Sequence, residues 1–289
     1  MTRTSSPKPY AGQVIGSGSN IIWRDEGFDG AVLVNKILGY HVFEEDGQHV
    51  QIKVGGGEPW DAVVARAVDA GLTGIEALSL IPGSAGATPV QNVGAYGQDI
   101  SQTLTTLEAY DTRYDCFADI PGTHCGFGYR TSRFNTLDHG RFLVTSVTLR
   151  LRRGRLEPPF DPNLQACLSN NAVTDYTPAM IRKAVIATRK AKLPDPAVVA
   201  NCGSFFVNPA ISRETFQYRR IFREPDVPHR ETPEGKVITS MATWKNQPLV
   251  LVNEASRSTA DLLVFKQRLV DAVRARFGVT LEQEPALLP

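Results

Sequence analysis

Residues 71–97, GLTGIEALSLIPGSAGATPVQNVGAYG, constrain the fold of this chain more than any other stretch. They hold six glycines and two prolines, and Glu76 is the only ionisable group besides Tyr96. Such a composition opposes a long helix. Gly83, Gly86, Gly94 and Gly97 admit positive φ and close backbone approach, and small residues (Ser84, Ala85, Ala87, Thr88) stand between them. Two readings follow. The segment lies flat along a large ligand and offers it N–H groups, or it is a buried loop that packs two elements tightly.

The rest of the chain narrows the class of protein. Its 289 residues suit one large or two modest domains. A hydrophobic content of 42% with 21% charged residues is that of a soluble globular protein. A net charge of +1 gives no reason to expect nucleic acid or an anionic membrane as partner. No apolar run reaches spanning length, and the start, MTRTSSPKPYAGQ, lacks the apolar centre of a signal peptide. Cys116, Cys125, Cys167 and Cys202 show no CxxC spacing and are too few for a disulfide scaffold. His41, His49, His124, His139 and His229 do not fall at metal-ligand spacings. A reducing cytoplasm and no metal site are expected.

In chain order, VIGSGSNII at 14–22 reads as a strand, a glycine-serine turn and a second apolar run. Such a turn presents backbone N–H groups to a phosphate, or is an ordinary β-turn. It is not a dinucleotide fingerprint, because residues 31–35 read as another strand with no useful helix between. Residues 51–54 are expected to be a strand broken by Gly55, Gly56 and Gly57. Pro59 then opens a helix over 60–70, with Val63, Val64, Ala67 and Val68 on one face. Strands are expected at 105–111 and 142–151, the latter alternating Leu143, Thr145, Val147 and Leu149 with Val144, Ser146, Thr148 and Arg150. Between them lies CGFGYRTS, in which Arg130 is either a buried anion clamp or a surface arginine stacked on Tyr129.

Residues 152–162 read as a connection between halves. A helix from a Thr177 cap and Pro178 to Lys190 runs into KLPDP. NCGSFFVNP at 201–209 combines a free backbone, a hydroxyl at Ser204, water-excluding Phe205 and Phe206, and a polar handle at Asn208; its plainer reading is a turn into a buried strand. Residues 211–245 are charged and irregular. A strand at 249–253 precedes the clearest helix, 260–277, opened by Ser258 with Asp261. Its expected core stripe is Leu262, Phe265, Leu269, Ala272 or Val273, and Phe277. Glu282 and Glu284 near the end read by themselves as a solvated tail.

Taken together, GSGSNII with GFDGAVLVN, GGGEPW, the 71–97 stretch, CGFGYRTSRF, KLPDP, NCGSFFVNP, QPLVLVNE and RFGVTLEQE resemble the bacterial UDP-N-acetylenolpyruvoylglucosamine reductases, in that family's order and over most of the chain. The resemblance implies an α+β protein. It would have an FAD-binding domain of the vanillyl-alcohol-oxidase/PCMH type, residues 1–153, and a smaller α+β substrate-binding domain, residues 154–289. It implies FAD as cofactor, NADPH as reductant and reduction of a UDP-sugar enolpyruvate in peptidoglycan precursor synthesis. A cytoplasmic enzyme, expected to be a monomer, would follow. The phosphate turn maps to Gly16, Ser17, Gly18, Ser19 and Asn20. The flavin cradle maps to Ile81, Pro82, Gly83, Gly86, Ala87, Gln91, Asn92, Gly94, Ala95 and Tyr96. Catalytic positions map to Arg130, Ser204 and Glu284, and substrate contacts to Tyr129, Lys192, Asn208 and Gln247.

In the implied chemistry, hydride reaches the enolpyruvyl C3 from reduced flavin. Arg130 and Glu284 stabilise the developing enolate, and Ser204 delivers a proton to C2. Departures from the family pattern accompany the likeness. Only a dozen polar residues precede Val14, where the family has a βαβ-type segment, and GKVITSMATWK at 235–245 replaces an AGWLI-type helix and a glycine-rich segment. Gly126 stands at a usually basic position, Gln283 replaces a proline, and Phe160 occupies the place of a substrate-contacting tyrosine of one subtype. An open sheet edge and uncovered apolar surface are the expected consequences. Two other readings of the same residues are a non-catalytic homologue that binds FAD or a UDP-sugar, and another FAD-linked oxidoreductase. NCGSFFVNP argues against the second.

Overall fold

The computed structural model describes residues 12–44, 46–209, 241–253 and 258–288. Most of the expected irregular stretch 211–245 lies outside the described residues. Compactness divides the chain into Met1–Ser19 with Asp29–Ala191, and Asn20–Phe28 with Lys192–Pro289. This grouping and the expected functional boundary after Arg153 differ over residues 154–191, which compactness joins to the first unit.

The first unit begins with β1 (Gly12–Ile15); β2 (Ile21–Trp23) belongs to the second unit. β3 (Ala31–Val34) pairs parallel with β1, so two strands close in sequence form a small separate sheet. β4 (Tyr40–Glu44) and β5 (His49–Gly55) start the main sheet, and α1 (Trp60–Asp69) covers it. Short β6 (Leu72–Thr73), β7 (Gly94–Ala95) and β8 (Gln98–Asp99) follow. β9 (Leu104–Asp111), β10 (Cys116–Pro121) and β11 (Phe142–Arg153) complete an antiparallel sheet of order β10-β9-β11-β5-β4, with β6 on β11.

The core sits between this sheet and α1. Val54, Val147 and Leu107 stand in one row across three strands, and Ile52, Leu149 and Leu104 in another. Trp60, Val63, Val64, Ala67 and Val68 close over them, and the Trp60 indole N–H donates to Leu78 O at 3.2 Å. The apolar spacing of helix 60–70 therefore reads correctly. The β11 alternation does not hold throughout. A bulge between Val144 and Ser146 shifts the register against β9, so residues 144–147 are all buried while Leu143 is only half-buried.

The bulge is where three backbones meet. Gly56 N–H donates to Thr145 O at 2.7 Å, and Gly86 N–H donates to Gly56 O at 2.8 Å. A Cβ on Gly56 would overlap the Val144 carbonyl oxygen and lie 2.7 Å from Asn35 Nδ2. One on Gly86 would lie 2.9 Å from Gly56 Cα. Much of the glycine content near the 71–97 stretch thus serves tight backbone packing. Glu76, fully buried, accepts from Thr73 Oγ1 at 2.5 Å and Gly74 N at 2.6 Å and holds the start of the stretch.

A smaller core follows from α2 (Pro162–Asn170) and α3 (Pro178–Lys192), where Leu164, Cys167 and Leu168 meet Ile181, Ala184 and Val185. The first helix was not expected, although Asp161 caps it through Asn163 N at 2.8 Å and Pro162 occupies its first turn. In the second unit β12 (Met241–Trp244) and β13 (Gln247–Asn253) form a hairpin whose first strand was also not expected. The helix α4 (Thr259–Phe277) is capped by Ser258 through Asp261 N and ends at Gly278 with φ 62°. Asp25 accepts from Thr259 N at 2.7 Å and Ala260 N at 2.9 Å, and these bonds hold its carboxyl below the ordinary value. Only Leu269 and Val270 of α4 are fully buried; the expected stripe missed Val270, and Phe277 is exposed. β14 (Ala286–Leu288) pairs parallel with β2.

Among the described residues, apolar side chains are exposed on the first unit. Every residue of β3 is exposed, as are Ile37, Leu38, Val42 and Phe43. Among the described residues β4 pairs only with β5 and stands at the sheet edge. The Gly56 contact has a measurable consequence. Gly56→Ala should lose about 3 kcal/mol or more in urea denaturation, because the added methyl meets immovable backbone. Gly12→Ala, with nothing within 4 Å, should stay within about 0.5 kcal/mol.

Candidate active site

In the first unit the two glycine-rich segments converge. The turn after β1 has Gly18 at φ 75°, and a Cβ on Gly16 would overlap Ser84 Oγ and touch the Ala87 methyl at 3.4 Å. Gly83, at φ 127°, faces Ser19 Oγ. Ser84 is buried, and its hydroxyl has no hydrogen-bond partner. A buried hydroxyl left unmatched costs about 1–3 kcal/mol. An acceptor such as a phosphate oxygen would relieve it. A glycine turn with little side-chain bulk and a nearby orphan donor therefore fits the phosphates of a flavin dinucleotide. In the sequence Ser84 stands out only as a small residue, and its signal is its place between Gly83 and Gly86.

The remainder of the expected cradle is braced from outside. Gly83 O accepts from Trp60 N at 3.0 Å, and Ala85 N donates to Glu58 O at 2.9 Å. Asn92 uses both ends of its amide inside the protein, donating to Gly128 O at 3.1 Å and accepting from Ser101 N at 3.0 Å. Ser132 Oγ donates to Val90 O at 2.6 Å. These two bonds tie the CGFGYRTS segment to the cradle. Gly94 and Ala95 form the β7–β8 hairpin, and Tyr96 leaves it at φ 54°. Burial raises the Tyr96 hydroxyl above its ordinary value, against the pull of the Arg189 charge.

Arg130 rides on that segment. It has φ 55°, a strained value for a non-glycine residue, and Asn135 Nδ2 clasps its carbonyl at 3.1 Å. Its guanidinium stacks over Tyr129 at 5.4 Å, and its Nη1 lies 3.5 Å from where a Cβ on Gly94 would sit. Arg130 is half-buried and Tyr129 exposed. The stacking on Tyr129 is that of the second reading left open above, with the arginine half-buried rather than on the surface.

In the second unit residues 204–207 form the middle of three extended segments. Ser204 bridges Val250, Phe205 N donates to Leu249 O at 2.7 Å, Glu284 N donates to Phe205 O at 2.9 Å, and Val207 N donates to Glu282 O at 2.9 Å. Ser204 and Glu284, 80 positions apart in sequence, are thereby set on neighbouring segments. The segment that reads by itself as a solvated tail is instead hydrogen-bonded to residues 205–207, with Glu282 exposed and Glu284 half-buried. Phe205 and Phe206 stack edge to face at 5.1 Å inside the core with Ile22, Leu251 and Leu269, so they anchor the segment rather than line a site. Gly203 turns at φ 77°, with its N–H on Asn201 Oδ1 at 3.0 Å. Burial, reinforced by the Glu284 charge, pushes the Cys202 thiol up to about 11.

Two of the substrate candidates of this unit meet at one tryptophan. Trp244 Nε1 donates to Lys192 O at 3.1 Å, and Trp244 pairs with Gln247 across the β12–β13 hairpin. Trp244 therefore links two candidates, a role the sequence did not signal. Lys192 and Asn208 are exposed and Gln247 half-buried. Asn20, at the far end of the phosphate turn, belongs to this unit and accepts from Ala286 N at 3.0 Å.

Comparison with known proteins gives this arrangement a family. Residues 9–113 match the FAD binding domain family, and residues 195–288 match the C-terminal domain of UDP-N-acetylenolpyruvoylglucosamine reductase. The chain is 37% identical to the UDP-N-acetylenolpyruvoylglucosamine reductase of Alcanivorax borkumensis over 96% of its own length and 84% of that protein. It is 38% identical to that of Burkholderia vietnamiensis over 95% and 84%. The crystal structure of UDP-N-acetylenolpyruvylglucosamine reductase from Thermus caldophilus superposes with a TM-score of 0.63 at 21% identity, covering 97% of this chain and 86% of that one, a likeness of fold. The α+β class, with an FAD-binding domain followed by a reductase-type C-terminal domain, therefore stands. With this identity held along nearly its whole length, the chain belongs to the UDP-N-acetylenolpyruvoylglucosamine reductase family.

Proposed function

We propose that the chain is an FAD-dependent, NADPH-consuming reductase acting on the enolpyruvyl ether of UDP-N-acetylglucosamine, in the cytoplasm, during assembly of peptidoglycan precursors. The observation that carries the reading is the backbone hydrogen bond from Glu284 to Phe205, the residue after Ser204, in the region that matches the C-terminal domain of UDP-N-acetylenolpyruvoylglucosamine reductase. Residues 1–153 would hold the cofactor and residues 154–289 the substrate.

Bound FAD, reduced by NADPH, supplies the hydride that the substrate C3 receives. The chain's own residues do the rest. Gly16, Ser17, Gly18, Ser19 and Asn20, with Ser84, offer donors to phosphate oxygens. Ile81, Pro82, Gly83, Gly86, Ala87, Gln91, Asn92, Gly94, Ala95 and Tyr96 shape the cradle. Arg130 places a fixed positive charge where the substrate carboxylate takes up negative charge, and Glu284 shares a proton with it. Ser204 gives its hydroxyl proton to C2, so that hydride and proton together saturate the double bond. Tyr129, Lys192, Asn208 and Gln247 bind the sugar nucleotide remote from the reacting atoms, and this binding supplies orientation. Phe160, packed edge to face on Tyr176 at 4.7 Å, has no hydroxyl to contribute.

The purified protein should be yellow, bleach under NADPH and regain its visible band on addition of the enolpyruvyl sugar nucleotide. Ser204→Ala should bleach normally yet lose at least about 100-fold in turnover, as expected for a missing general acid; full turnover would remove Ser204 from the mechanism. Ser84→Ala should leave the FAD-free melting temperature unchanged or higher. The same change should weaken FAD binding about tenfold, the worth of a hydrogen bond to a charged oxygen, as read by flavin fluorescence titration.

A further inference from the structure

A cavity of about 360 Å³ lies in the first unit where the main sheet is interrupted, and none of its lining residues is assigned above to flavin or UDP-sugar. β5 covers one edge of β11. On the other edge β9 reaches β11 at Leu104 opposite Leu149, and β6 meets it at Thr73 opposite Arg152. Arg150 and Leu151 therefore stand opposite a break between two strands. Arg150 N spans it by donating to Thr103 O at 2.8 Å. Gly74 follows β6 at φ 131°, and a Cβ there would lie 3.2 Å from Thr103 Cγ2 and 3.3 Å from Leu151 Cδ2. A side chain at that position would crowd the break, and glycine keeps it open.

The cavity gathers positive charge. Arg150 and Arg152 alternate with Leu151 along one strand and so share a face of the sheet. His49 sits directly across from Arg152 on β5 and belongs to the same face. All three line the cavity, and among its described lining residues there is no carboxylate. The cations around it have acids of their own: Lys53 meets Glu108 at 3.4 Å, and Arg155 meets Asp175 at 3.1 Å. His49 Nδ1 lies 3.1 Å from Asp46 Oδ2. The buried Glu76 is taken up by Thr73 Oγ1 and Gly74 N. Arg152 Nη2 donates to the Arg155 carbonyl at 3.1 Å, which orients its guanidinium. Gln102 and Thr105 add neutral hydrogen-bonding groups, and Leu156 adds an apolar wall. Planar guanidiniums recognise phosphate in two-pronged fashion, and the volume suits a small ligand. We propose that this cavity binds the phosphate group of a small compound, with Arg150 and Arg152 as the clamp and His49 beside them. The phosphate is free, or it is an ester whose organic part lies against Leu156. The site does not depend on the reading of this chain as a reductase.

Titration calorimetry on the full chain, at constant ionic strength, tests the site with inorganic phosphate and phenyl phosphate. The wild type should bind at least one of them with a Kd of about 1 mM or tighter. Arg150→Gln and Arg152→Gln should each weaken that binding about tenfold or more, the worth of a hydrogen bond to a charged group. Arg150→Lys, which keeps the charge but not the fork, should lose less than Arg150→Gln. Arg268→Gln, the same change at an exposed position of α4, should bind like the wild type. Arg150 is exposed, so Arg150→Gln decides the matter if Arg152→Gln does not fold. Tighter binding of phenyl phosphate identifies an ester as the ligand, and equal or weaker binding identifies free phosphate. Excess FAD and UDP should leave the dissociation constants unchanged. Displacement of the probe by either nucleotide would place it elsewhere and overturn the proposal. So would no binding by the wild type, undiminished binding by both glutamine variants, or an equal loss in Arg268→Gln.

Discussion

The first unit depends on backbone meeting backbone. The turn after β5, the cradle around Gly86 and the bulge of β11 share two hydrogen bonds, Gly56 to Thr145 and Gly86 to Gly56, with no side chain between them. Glycine is required there because a methyl at Gly56 would occupy the place of the Val144 carbonyl oxygen. This joint fixes the cradle relative to the sheet. The sheet in turn is rigid because rows such as Val54, Val147 and Leu107 are sealed by α1. A loop so poor in side chains has little rigidity of its own; here the rigidity comes from what it leans on.

A comparable economy holds in the second unit. One short segment, residues 204–207, is paired on both sides, by β13 and by the residues before β14. Its two phenylalanines sink into the core, and Ser204 stands at the segment's start, one residue before the Phe205 carbonyl that accepts from Glu284 N. The same packing raises the Cys202 thiol to about 11 and makes it an inert neighbour at neutral pH. Anchoring by buried aromatics and placement of the two candidate residues are thus one structural event.

Some of this was readable from residue spacing. The apolar period of α1, the proline-opened α3 and the Ser258-capped α4 come through because local propensity and core burial agree in them. The β11 alternation misled at Leu143 because the bulge, a tertiary feature, reverses which face is buried. The α2 helix was overlooked because Pro162 follows a proline-rich connection and its three buried residues make a weak stripe. The strand Met241–Trp244 escaped because a two-stranded hairpin carries little pattern of its own.

The motifs by themselves determined the family, the order of the FAD-binding and C-terminal domains and the residues to inspect, because those properties reside in residue types at short spacing. Whether glycines cradle a ligand or a neighbouring backbone was decided only in three dimensions. Gly86 turned out to face Gly56, while Gly16 and Gly83 open onto Ser84 and Ser19. That Glu284 is no loose tail, that Asn92 is consumed in bracing Gly128, and that Arg189 is left with an unmatched buried nitrogen are likewise facts of long-range pairing. The cause is common to all of them: a hydrogen bond or a buried charge is defined by its partner, and those partners lie tens of residues away along the chain.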